Sequence, residues 1–141
     1  MKLKFLVLFC VFGVVLALIT FKIATSQTSL TNPTFSSSDL IKQAVKDNKP
    51  AWLLFHSKTC QTCIEMERTY ETLRPEFAGK IAFINIDVNN PSEKTLVKLY
   101  KINQIPTSYF LNRAGQPISL DIGLIPMAEM QSKLGALAGG K

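Results

Sequence analysis

Two cysteines, Cys60 and Cys63, sit three residues apart in the stretch FHSKTCQTCI, residues 55–64. Thiols at that spacing can form a reversible disulfide, supply half of a metal site, or lie buried as small apolar groups. They follow a short apolar run, AWLLFH (51–56), and precede apolar residues at helical spacing, Met66, Tyr70, Leu73 and Phe77. This pattern predicts a strand-to-helix junction, with Cys60 at the helix N-terminus and Cys63 one turn inside. An i, i+3 pair presents both sulfurs on one side of the helix, near enough to bridge. The unpaired amides and the dipole at that end favour an anion by up to about 2 kcal/mol, which here means the Cys60 thiolate. A sulfur stabilised as an anion is also a good leaving group, so Cys63 can attack a mixed disulfide on Cys60 and release what is bound there.

The alternatives differ in what else they require. A zinc site needs about four N or S ligands, and this pair supplies two. His56 is the only histidine, and the third cysteine, Cys10, lies in an apolar N-terminal run, so neither metal nor cofactor is expected. Leu8-Phe9 ahead of Cys10 are too large for a lipoprotein signal. Two inert buried thiols are disfavoured, since an extracytoplasmic pair at this spacing would oxidise to a disulfide, and a purely structural disulfide in a tight four-residue loop stays as an alternative. The spacing and placement favour redox use.

The elements that must position the pair follow from periodicity. Ser37 or Ser38 can cap a helix over Asp39–Lys46, with Leu40, Ile41, Ala44 and Val45 on one face. AWLLFH reads as a buried central strand holding Trp52 in the core, and KIAFINID (80–87) as a second buried strand. The helix from Cys60 should bend or restart at Pro75. A third helix covers 91–101, opened by Pro91 and Ser92. Strands 107–112 and 117–122 flank a turn at Arg113-Ala114-Gly115-Gln116, and an amphipathic helix spans 126–138. The order α-β-α-β-α-β-β-α implies an α/β fold, a mixed sheet flanked by helices on both faces. Gly139-Gly140-Lys141 reads as a frayed end.

Ahead of this domain the chain changes character. Hydrophobic residues make up 47% of the 141, and much of the excess lies in the first 23. Lys2 and Lys4 precede 17 uncharged residues, Phe5–Phe21, before Lys22. At 1.5 Å per residue the run spans roughly 26 Å, longer than a typical signal core and close to a bilayer's hydrocarbon thickness. An uncleaved membrane anchor through residues 5–21 is favoured, with cleavage near Ser26 and secretion as the alternative. Either way Lys2 and Lys4 stay cytoplasmic and the remainder is extracytoplasmic. The divisions expected are 1–23 as anchor or signal, 24–37 as a Ser/Thr-rich flexible spacer, and 38–138 as the folded domain. Without residues 1–26 the formal charge falls from +6 to about +3, scattered along the chain, so nucleic-acid binding finds no support.

The domain resembles the thioredoxin family over about 38–138. The resemblance rests on WLLFH leading to CQTC, on AFINID, and on QIPTSYF with Pro106 standing 43 residues after Cys63, followed by Ala114-Gly115 and Gly123. CIEMERTY followed by Pro75 is similar to the C-terminal domain of bacterial membrane thiol:disulfide interchange reductases. The resemblance implies a cis bond before Pro106, and a site in which Ile105, Pro106 and Thr107 hold an extended substrate segment beside a Cys60/Cys63 disulfide. It implies a thiol:disulfide oxidoreductase acting on protein thiols and disulfides and supplied with electrons by a membrane or soluble thiol protein. Reduction is the favoured direction; oxidase or isomerase activity, or a non-catalytic binding module with a structural disulfide, is the alternative.

Departures from the family stand close to the site. Thr59 and Gln61-Thr62 replace the Trp and Gly-Pro of cytoplasmic thioredoxins. Leu54 and Phe83 replace a buried Asp and Lys, which removes the usual proton acceptor for Cys63. Glu67, one turn beyond Cys63, is a candidate substitute, as are water and the partner thiolate. His56 and Lys58 are candidates to tune the Cys60 thiolate. For Glu67, His56 and Lys58 an ordinary surface or packing role is the simpler expectation.

Overall fold

The computed structural model describes residues 36–140. The apolar run 5–21 and the segments expected as anchor and spacer up to residue 35 lie outside the described residues. Among the described residues, no helix is long and apolar enough to cross a membrane.

The chain alternates as its periodicity predicts. Helix α1 (Ser37–Lys46) leads to β1 (Ala51–His56), α2 (Gln61–Leu73), β2 (Ala82–Asp87) and a 3-10 turn (Pro91–Glu93). Helix α3 (Lys94–Leu99), β3 (Thr107–Leu111), β4 (Pro117–Ile122) and α4 (Met127–Gly139) complete it. The described strands form one mixed sheet in the order β2-β1-β3-β4, parallel between β1 and β2 and antiparallel elsewhere. Strand β1 is central and every residue in it is buried, which is why its sequence reads as a continuous apolar run rather than an alternating one.

The sheet divides the core in two. Trp52, Leu54 and Phe110 pack with Met66, Tyr70 and Leu73 of α2 and with Met130, Leu134 and Leu137 of α4. On the other face Leu53, Phe55, Ile84, Ile86 and Leu111 pack with Ala44 of α1 and Leu96 of α3. Trp52 is fully buried, as expected, and its indole Nε1 donates to Ser108 Oγ at 3.0 Å.

Several element boundaries depart from the expected ones. The cap of α1 is Ser36, not Ser37 or Ser38. Ser36 Oγ accepts from the Asp39 amide and also donates to the Asp39 carboxylate. Ser37 is instead buried, and its hydroxyl donates to Glu93 Oε1 at 2.9 Å. Of the apolar face proposed for α1, only Ala44 is buried; Leu40 and Val45 are 38% and 39% exposed.

Strand β2 begins at Ala82, since the amides of Lys80 and Ile81 are turned back onto Phe77 O. It is half-buried rather than fully buried, being at the edge of the described sheet. The third helix divides into the 3-10 turn and α3, and Leu99 is 69% exposed. Helix α2 ends at Leu73, just ahead of Pro75. Helix α4 continues through Gly139 to a left-handed Gly140, and Arg113 Nη2 donates to Ala138 O; Lys141 lies outside the described residues.

Candidate functional site

Strand β1 delivers the chain to the site. Its last residue pairs with Asp87 of β2, and Phe55 pairs with Thr107 of β3, which pairs in turn with Ile122 of β4. One end of the sheet therefore gathers the loop into Cys60, the loop into β3 that holds Ile105 and Pro106, and the end of β4.

The loop 57–60 is fixed by polar contacts that the sequence reading did not single out. Buried Ser57 accepts from Asn89 Nδ2 at 2.7 Å and from the Thr59 amide at 3.3 Å, and it shares a hydrogen bond with the Thr59 hydroxyl. The Cys60 amide donates to Ser57 O at 3.2 Å. The only advance signal for Asn89 was a polar pair, Asn89-Asn90, closing an apolar strand.

Cys60 is the N-cap of α2. Its backbone is extended, and its Sγ accepts from the Cys63 amide at 3.3 Å, taking the place that a Ser or Asp oxygen normally fills. Both thiols are free; Cys60 is half-buried and Cys63 fully buried. Burial is the main cause that pushes the Cys63 thiol up to about 11. The hydrogen bond with the Cys60 side chain adds to the rise, as do the charges of Cys60 and Glu67, while the Ser57 backbone opposes it. At neutral pH Cys63 is a protonated thiol beside a more exposed sulfur that receives an amide hydrogen bond.

The Ile105–Pro106 bond is cis. Pro106 is fully buried and its carbonyl accepts from the Gly123 amide at 2.8 Å, tying this loop to the end of β4. Thr107 is buried and its hydroxyl donates to Gln104 O at 2.7 Å. Among the described residues neither the N–H nor the C=O of Ile105 has a backbone partner, so its peptide edge is open.

At the positions of the absent acid and base, Leu54 is fully buried and Phe83 packs edge-on against both Trp52 and Tyr70, with centroids 5.4 and 5.2 Å apart. An apolar cluster occupies the place of a charged pair. Asn85 is paired with Leu54 across the strands, and its Nδ2 donates to Glu67 Oε1 at 2.9 Å. Glu67 is thus not a free surface acid but half-buried and held toward the sheet. Asn85 was overlooked, although a lone amide inside AFINID was a visible break in an apolar strand. His56 is buried, with Nδ1 lacking a hydrogen-bond partner, and Lys58 is exposed. Among the described residues no three His, Cys, Asp or Glu side chains come together as a metal site.

Comparison with known proteins places this geometry in a family. Residues 38–138 match the thioredoxin-like domain. The thiol:disulfide interchange protein TxlA of Synechococcus elongatus is 27% identical over 94 residues, covering 67% of this chain and 49% of that protein. The thioredoxin-like protein HCF164 of Arabidopsis thaliana is 24% identical over 100 residues, covering 71% and 38% respectively. The chain thus spans half or less of the length of these two relatives. Thioredoxin-1 of Drosophila melanogaster is 34% identical over 67 residues, 48% of this chain and 61% of that protein. Among solved structures, chloroplastic thioredoxin z superposes with a TM-score of 0.62 at 22% identity, over 74% of this chain and 93% of that one, a likeness of fold. With the match running through both cysteines and the cis-proline loop, the chain belongs to the thioredoxin-like domain family.

Proposed function

We propose that the protein is a thiol:disulfide oxidoreductase that reduces protein disulfides through Cys60 and Cys63. The observation that carries this reading is the unequal pair at the start of α2: a partly accessible sulfur capping the helix and a buried thiol held protonated one turn inside. The printed name of TxlA, a thiol:disulfide interchange protein, supports the same reading.

The Cys60 thiolate attacks one sulfur of a client disulfide; the client S–S bond breaks, one client thiolate departs and takes up a proton, and a mixed disulfide forms on Cys60. The negative charge on Cys60 is then gone, and with it one of the causes that hold the Cys63 proton. Cys63 loses its proton and attacks Cys60 Sγ, expelling the second client thiolate. Two electrons have passed to the client and the protein is left as a Cys60–Cys63 disulfide, which a donor thiol protein reduces again. The open peptide edge of Ile105 pairs with the client chain, with Pro106 and Thr107 shaping that contact.

The site acts outside the cytoplasm, tethered by the apolar run 5–21 with Lys2 and Lys4 inside. The length of that run and its flanking charges support this location. Insulin reduction tests the activity: turnover by the wild type and its loss in both Cys60→Ser and Cys63→Ser are expected. Full activity in both variants would leave a non-catalytic binding module. The intact mass of the membrane-extracted chain tests the anchor, since loss of about 26 residues would mean a cleaved, secreted form.

A further inference from the structure

Beside the Ile105 loop lies a groove of about 310 Å³ that no step of the thiol chemistry uses. Its walls are Ile102, Tyr109, Leu120 and Ile122, and its rim carries Lys101, Asn103 and Gln104. The polar groups within it are already engaged: the Tyr109 hydroxyl donates to Tyr100 O at 2.8 Å and Thr107 to Gln104 O. What faces the opening is therefore ring and aliphatic surface. Leu120 and Ile122 are 46% and 56% exposed, on β4 at the edge of the described sheet, where solvated strands ordinarily carry charged or polar side chains.

Two observations fix the occupant. Thr107 and Gln104, which line the groove, flank Ile105, whose N–H and C=O lack backbone partners, so the groove adjoins the open peptide edge. The groove also carries one ammonium, Lys101, and no acid among its lining residues. Asp121, between Leu120 and Ile122, alternates to the opposite face and is paired with Lys133 at 3.2 Å.

Building on the oxidoreductase reading, we propose that this groove is a specificity subsite that takes one large apolar side chain, flanked by a carboxylate, from the client segment lying on Ile105. The apolar side chain fills the space between Leu120, Ile122 and Tyr109, and Lys101 attracts the acid. The protein then prefers disulfides set in apolar, acidic sequence.

The test uses the full chain and disulfide-linked peptides that differ only near the reactive cysteine, carrying Leu with Glu or Ser with Lys. A ratio of kcat/KM of about tenfold in favour of the Leu–Glu peptide is expected. The ratio should fall toward one in Leu120→Ser, and Lys101→Glu should turn the charge preference toward the Lys peptide. Equal rates for all peptides with the wild type would overturn the subsite and leave the oxidoreductase reading standing. If no peptide is reduced, that reading fails, and the groove is judged by titrating the Leu–Glu peptide against the methyl resonances of Leu120 and Ile122; unmoved resonances overturn the subsite. Self-association in sedimentation that Leu120→Ser abolishes would make a second copy the occupant, and would also overturn it.

Discussion

The Cys63 amide donates to Cys60 Sγ across 3.3 Å, while the Cys63 thiol itself is sealed from solvent. One residue therefore supports its partner as the capping acceptor of α2 while its own sulfur is kept from solvent. The unequal exposure of the two thiols follows from their places on a single helical turn, one at its open end and one against the core.

The first expectation concerns pH. The folded pKa of Cys63 is raised from 9.0 to about 11, so the stability it contributes is fully present below pH 9 and declines as pH climbs toward 11. Removing the Cys60 side chain deletes both a hydrogen bond and a charge that oppose ionisation. Thiolate absorbance at 240 nm in Cys60→Ala should show Cys63 titrating clearly below about 11. An unchanged midpoint would mean that burial alone sets it.

Glu67 pushes in the same direction, and Asn85 holds it in place. Glu67→Gln keeps a hydrogen-bonding oxygen for Asn85 but removes the charge, so Cys63 should ionise at lower pH. The step in which Cys63 resolves the mixed disulfide should become faster at pH 7, by a few-fold. Stopped-flow release of a peptide from the Cys60 mixed disulfide reads that step; a slower release would instead assign Glu67 as the proton acceptor.

Trp52 tests the central packing. Trp52→Phe retains a ring but leaves the buried Ser108 hydroxyl without its indole donor, at a cost of about 1–3 kcal/mol. The double variant with Ser108→Ala should recover part of that loss in urea unfolding. Equal losses in the single and double variants would place the cost in ring volume rather than in the hydrogen bond.

Gly115 tests the hairpin. It has φ of +76°, and a Cβ there would stand 2.7 Å from Val45 Cγ2 of α1. Gly115→Ala should destabilise by about 1–3 kcal/mol through backbone strain and the clash together. Adding Val45→Ala should return the clash component only. Thermal unfolding of the pair of variants separates the two, and full recovery would show that the backbone adopts this conformation without strain.

Ser37 and Glu93 tie α1 to the turn ahead of α3, 56 residues away in sequence. Glu93 is buried, so Ser37→Ala removes a hydroxyl from a desolvated carboxylate and should cost about 1–3 kcal/mol. The loss should shrink when Ser37→Ala is made in a Glu93→Ala background, where the carboxylate is gone. An undiminished loss in that background, read by chemical denaturation, would refute the pairing as its source.

The sequence by itself determined the element order, the central strand, the buried tryptophan and the placement of Cys60 and Cys63 at a strand-to-helix junction. These are legible because they are local: a buried strand needs a continuous apolar run, and a helix needs its apolar residues at 3.6-residue spacing. The tertiary structure alone decided which serine caps α1, that Glu67 is drawn to Asn85, and that Ser57, Thr59 and Asn89 brace the loop into Cys60. It also decided that Leu40, Val45 and Leu99 remain exposed and that Leu120 and Ile122 line an open groove. Apart from the Ser36 cap, whose partner Asp39 is local, each of these depends on a partner far along the chain or on how much of a face a neighbouring element covers. Periodicity marks the apolar side of an element, but only packing determines whether anything lies against it.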